Sequence, residues 1–146
     1  LRPLPRVKWS MRERNVEYAR KWLEKAHNDL VTAEQTLTLE NGPTDTPCFH
    51  AQLAIEKTLK AIMTAHGITT PRTHDLLLLL EMVLPILPGS DTWRETLAEM
   101  SDYGVAVRYP ADWPEPEREE AEAALVAARN IWTTARQFLS EDSGDL

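Results

Sequence analysis

The chain has 146 residues, 42% of them hydrophobic, which is enough to bury one core and too apolar for a disordered segment. Its uninterrupted leucine run, residues 76–80, is far below the roughly 20 residues that a membrane helix needs. A net charge of −7 argues against a globally polyanion-binding protein, and a single cysteine, Cys48, excludes an internal disulfide and fits a cytoplasmic protein.

The charge is unevenly spread. Residues 1–14 hold five basic and one acidic side chain, which leaves −11 on the remainder. They read as a basic N-terminal arm that is Pro-broken and lacks the apolar stretch of an export signal. Met11 is a candidate native start, in which case residues 1–10 lie upstream of it. A helical domain follows over residues 15–140, then an acidic tail over residues 141–146.

Apolar or small residues recur from position 17 to position 40 in a three-four rhythm (Val16, Ala19, Leu23, Ala26, Leu30, Ala33, Leu37), which predicts a long amphipathic helix. Asn41-Gly42-Pro43 is expected to stop it, with Gly42 in the left-handed cap conformation. Thr46-Pro47 reads as the cap and first residue of a second helix that turns Ala51, Ile55, Leu59 and Ile62 inward and ends at Gly67. Thr73 is the predicted cap of a third, Leu-rich helix over residues 75–87. Asp91 or Thr92 caps a fourth that groups Trp93, Leu97, Met100 and Tyr103. A fifth begins near Pro116 and repeats Ala121, Ala124, Ala128, Ile131, Ala135 and Phe138. No segment reads as a strand.

Short connections make neighbouring helices antiparallel. Strict alternation then brings the arm, the turn over residues 67–74 and the segment over residues 108–117 to one end of the bundle. The N-termini of helices one, three and five come to the same end. Unpaired N–H groups and positive dipole ends favour an anion there. Arg72, His74 and Arg108 lie at that end, with Lys60 about two turns below the end of helix two, so these four form the expected phosphate- or nucleotide-binding set. Glu56 and Lys60, an i, i+4 pair with Gln52 one turn earlier, read as a surface salt bridge. His50 and His66 are too far apart for one ligand set and no Glu-x-x-His or Cys pair exists, so no metal site is expected. Cys48 reads as a small buried filler, although its place at a helix start could lower its thiol pKa.

Four pieces, taken in order, resemble one family. Trp22 with Ala26 and Asp29-Leu30 is similar to the first helix of HEPN (higher eukaryotes and prokaryotes nucleotide-binding) domains. Cys48-Phe49-His50-Ala51-Gln52, Ala54, Glu56-Lys57 and Leu59-Lys60-Ala61 resemble the second. Pro71-Arg72-Thr73-His74-Asp75-Leu76 resembles the approach to the third, and Tyr103 with Arg108-Tyr109-Pro110 the end of the fourth. The likeness spans residues 17–139.

The resemblance implies an all-α, up-and-down bundle of about five helices that forms a homodimer. It further implies a small nucleotidyltransferase as partner in a two-component, toxin–antitoxin-like pair, and nucleotide or RNA as ligand, with no cofactor. Some members are metal-independent ribonucleases that use an Arg, four to six residues, then a His. None of His27, His50, His66 or His74 follows Arg108, so that motif is absent from its usual place. Arg20 and His27 match only its letters, on helix one. The expected role is therefore a nucleotide- or RNA-binding partner protein. The alternatives are a ribonuclease toxin using His74 and Arg108 across a dimer, and an interaction scaffold without ligand.

Overall fold

Ser10 begins the first helix because its side chain accepts the Glu13 amide at 3.1 Å, satisfying one of the orphan donors of the first turn. The computed structural model describes residues 8–101 and 115–143. Among these, all regular structure is helical: α1 Met11–Leu37, α2 Asp45–Ala65, α3 Leu76–Val83, α4 Arg94–Met100 and α5 Arg118–Ser143, with a 3₁₀ turn over Ser90–Trp93 before α4. The all-α bundle of five helices expected from periodicity is present.

The ends differ from the expected ones. Helix α1 starts at Met11, so Arg12 and Arg14 lie in its first turn rather than in a free arm. It ends at Leu37, where the Thr38 hydroxyl donates to the Gln35 carbonyl at 2.6 Å. Gly42 does not adopt a left-handed φ. A side chain there is opposed by space, because a Cβ would stand 2.8 Å from Leu39 Cβ. Helix α2 begins at Asp45, so the expected cap Thr46 lies inside its first turn and donates its amide to Asp45 Oδ1 at 2.8 Å, while Thr44 before it donates its hydroxyl to Glu115 at 3.3 Å. Its end is the expected glycine stop: Gly67 has φ +72, and Gly67 and Ile68 donate to the carbonyls of Thr64 and Met63 at 3.0 Å. Asp75, not Thr73, caps α3 by accepting the Leu78 amide at 3.2 Å, and α3 stops at Val83, four residues short of the expected end. The Thr92 hydroxyl donates backward to the Gly89 carbonyl, so it opens a 3₁₀ turn instead of capping α4.

The direction of α5 overturns strict alternation. The Arg118 guanidinium, at the start of α5, donates to the carbonyls of Leu37 and Leu39 at the end of α1. At the far end, Asp142 pairs with His66 at 3.2 Å beyond α2, and its carbonyl accepts from Arg12 at 3.4 Å in α1. Helix α5 therefore runs antiparallel to α1 and parallel to α2. Its N-terminus and residues 115–117 lie at the pole opposite the turn after α2, about 30 Å away along a 21-residue helix. The shared pole keeps the N-terminus of α1 but not that of α5.

Helices α1, α2 and α5 interlock through small residues. Ala19, Ala26, Ala33, Ala51, Ala54, Ala121, Ala128 and Ala135 are all buried, letting the backbones approach around Leu30, Ile55, Leu59 and Ile131. Trp132 ties α5 to α1 by donating to the Leu23 carbonyl at 2.9 Å, and His27 packs on its ring at 5.2 Å. Leu76, Leu79 and Leu80 of α3 are buried against this core, while Leu78 faces out. Leu59→Ala, at a fully buried position, is expected to lose about 2–5 kcal/mol of stability in urea titration. Val126→Ala, on the exposed side of α5, is expected to stay within about 0.5 kcal/mol.

A polar seam between the first two helices as candidate functional site

Antiparallel pairing of α1 and α2 sets Trp22 against Lys60 and, two turns along, Asp29 against His50 and Lys57. Glu56 is the hub of the first group. Its carboxylate is buried, accepting from Lys60 Nζ at 3.2 Å on Oε2 and from His74 Nδ1 at 2.6 Å on Oε1. The Lys60 ammonium also lies 5.6 Å from the centre of the Trp22 ring, a cation–π distance.

The geometry orients His74. An ionised carboxylate only accepts, so the proton facing Glu56 sits on Nδ1 and leaves Nε2 as the free edge of the ring. The His74 side chain is 81% exposed while that of Glu56 is 7% exposed. An imidazole held this way can bind an anion when protonated or move a proton when neutral.

Asp29 is the hub of the second group. It is buried on α1, and its oxygens accept from Lys57 Nζ at 2.6 Å and from His50 Nδ1 at 2.9 Å. Both partners remain about a quarter exposed. Gln52, one turn before Glu56, is buried with Oε1 unpartnered. A buried amide oxygen without a donor costs free energy and marks an unsatisfied acceptor beside the seam.

The expected site residues are redistributed. Lys60 is buried and spent on Glu56 and Trp22, so it is not a free phosphate contact, and the Glu56–Lys60 pair is internal rather than a surface bridge. Arg72 is exposed, two residues before His74. His74 sits beside Glu56, halfway along α2 and not at the pole, because the connection after Gly67 runs back along the helix. Arg108 lies outside the described residues. His27 packs on Trp132 toward α5, and Arg20 pairs with Glu17 at 3.6 Å. No group of metal-ligating side chains exists among the described residues.

Sequence reasoning missed the grouping of Asp29, His50 and Lys57. A signal existed: Asp29 falls within the buried stripe of α1, seven residues after Trp22, where a carboxylate needs cationic partners. The polar residues of the first two family-like pieces and His74 of the third all converge on this one seam.

Cys48 is fully buried near the start of α2. Burial pushes its thiol up to about 11, with the negative charges of Glu120 and Asp45 adding to the effect, so the helix start does not activate it.

Comparison with known proteins gives one family. The sequence profile described as "HEPN domain" matches residues 19–138. A protein of Methanocaldococcus jannaschii named "Putative toxin MJ1304" is 27% identical over 145 residues, covering 89% of this chain and 93% of the relative. The crystal structure of TT1696 from Thermus thermophilus superposes with a TM-score of 0.71 at 31% identity, covering 82% of this chain and 97% of that one.

Two outcomes follow from the buried groups. Glu56→Ala leaves the Lys60 ammonium buried without its counter-ion and is expected to cost about 3–5 kcal/mol in denaturant titration. Glu34→Ala, which breaks the exposed pair with Arg129, is expected to cost at most about 1 kcal/mol. The raised thiol of Cys48 stabilises the fold fully below pH 9.0, its ordinary value, and that contribution is lost as pH rises toward 11. Alkylation by iodoacetamide at pH 8 should therefore require denaturant, and Cys48→Ala should flatten the fall in stability between those two pH values.

Proposed function

Because the chain belongs to the HEPN family, we propose that it binds the phosphate groups of nucleotides or RNA through Arg72 and His74. The observation that carries this reading is the 2.6 Å contact between the buried Glu56 carboxylate and Nδ1 of an imidazole that is otherwise exposed. A protonated His74 offers Nε2–H to a phosphate oxygen, and Arg72 two residues earlier adds a charge-assisted donor. Lys60 serves by holding Glu56 in place instead of touching the anion. Arg108 joins them only if its guanidinium reaches this middle level of the bundle. The name of the Methanocaldococcus relative supports a toxin–antitoxin-like setting. In that setting the chain would act as a homodimer beside a small nucleotidyltransferase, in the cytoplasm.

One observation favours a second reading, metal-independent RNA cleavage. A carboxylate-oriented imidazole is also what proton transfer from a 2′-hydroxyl requires. His74 Nε2 would take the 2′-hydroxyl proton, the 2′ oxygen would attack phosphorus as the P–O5′ bond breaks, the 5′ oxygen would take a proton from water, and Arg72 would hold the phosphoryl charge.

Titration of uridine 5′-monophosphate at low salt, followed by calorimetry, tests the first reading. Saturable binding that weakens about tenfold in Arg72→Ala and in His74→Ala is the expected result. A reduced salt dependence in Arg72→Ala is expected alongside it. Absence of saturable binding sinks the reading. Cleavage of RNA in excess chelator that disappears in His74→Ala would establish the second.

A further inference from the structure

The outward side of the α1–α2 pair carries groups that a phosphate at Arg72 and His74 does not use. On α1, Tyr18, Trp22, Lys25 and Asp29 follow one another at spacings of three and four and so share a stripe. Tyr18 is 58% exposed and Lys25 is exposed, while the Lys21 ammonium stands 5.7 Å from the Tyr18 ring. On α2, Phe49, Leu53, Glu56 and Lys60 make the matching stripe, with His50 and Lys57 on its flank toward α1. Phe49 is 44% exposed, and its ring lies 5.8 Å from that of His50.

With the flanking Lys57, these stripes hold three lysines (Lys25, Lys57, Lys60) against two carboxylates (Asp29, Glu56), a small positive excess on an acidic chain. The acidic groups that the stripes contain are Asp29 and Glu56, both buried and each holding two cationic or imidazole partners. The cationic groups of the seam that reach solvent are Lys25 and Lys57, with two imidazole edges, and Arg72 adds a third cation from the connection beyond α2. The cations locked onto buried carboxylates are also pre-ordered, so less side-chain entropy is lost when they meet an anion.

Two exposed rings, Tyr18 and Phe49, with cations between them match a polynucleotide whose bases are unpaired, since each base offers a face for stacking. Duplex nucleic acid hides those faces and would leave Phe49 and Tyr18 without a role. Six residues of helix put His50 about 9 Å from the level of Glu56, further than one phosphate group can bridge.

We propose that the α1–α2 seam is a track for single-stranded RNA, running from Tyr18 past the Arg72–His74 phosphate position, Lys57 and His50 to Phe49, with Lys25 on the α1 bank. The proposal takes its anchor, and RNA as the strand, from the reading above, while its own contacts lie elsewhere on the helices.

Calorimetric titration at low salt with uridine 5′-monophosphate, a tetrauridylate and an octauridylate tests it on the full chain. Circular dichroism confirms that each variant is folded. The tetranucleotide is expected to bind at least about tenfold more tightly than the mononucleotide, because each stacked base adds its own contribution. Lys25→Glu and Phe49→Ala, both at exposed positions, are expected to remove most of that gain while mononucleotide binding persists. A tetranucleotide no tighter than the mononucleotide overturns the track and leaves the Arg72–His74 position standing. So does a blunt RNA duplex that competes equally well. Mononucleotide binding that is absent, beside oligonucleotide binding that depends on Lys25 and Phe49, overturns the Arg72–His74 reading and keeps the track.

Discussion

The burial of one carboxylate constrains much of this molecule. Glu56 sits inside the protein, where an unpaired charge would cost several kcal/mol, and its two oxygens are satisfied by Lys60 and His74. Lys60 comes from the same helix and is always near. His74 comes from a connection that must fold back along α2 after the Gly67 turn, so pairing with Glu56 sets the level at which the chain enters α3. The leucines of α3 are then delivered to the core from that level. The interaction that places α3 is also the one that turns an imidazole edge to solvent, so stability and candidate chemistry share a cause.

Asp29 does for α1 what Glu56 does for the connection. Its contacts with His50 and Lys57 pin the register of α1 against α2 at a point where alanines alone would let them slide. The buried alanines of the two helices, Ala26, Ala33, Ala51 and Ala54, carry little directional information, whereas a buried ion pair is met in one register only. The unsatisfied Gln52 oxygen beside this seam is a cost that packing does not explain.

The clasp at the other end has a different logic. The last carbonyls of α1 have no partner within the helix, and the Arg118 guanidinium supplies donors to Leu37 and Leu39 across a long separation in sequence. Asp142 meets His66 and Arg12 at the far pole. Together these contacts fix the direction of α5, and with it the separation of residues 115–117 from the His74 site.

How much of this was legible in the chain follows the range of the forces involved. Local rules placed the helices: the three-four stripe of α1, the glycine stop of α2 and the alanine repeat of α5 depend on neighbours three or four residues away. Cap positions were less legible, because Thr46, Thr73 and Thr92 could each spend their hydroxyls elsewhere, and did. Motif likeness picked out the polar residues of the first two helices and His74 but could not show that they meet. The direction of α5, the burial of Lys60, the raised thiol of Cys48 and the union of Asp29 with His50 and Lys57 belong to the tertiary structure alone. The physical reason is that desolvation and ion pairing act between groups distant in sequence, and their strength exists only once the backbone has closed around them.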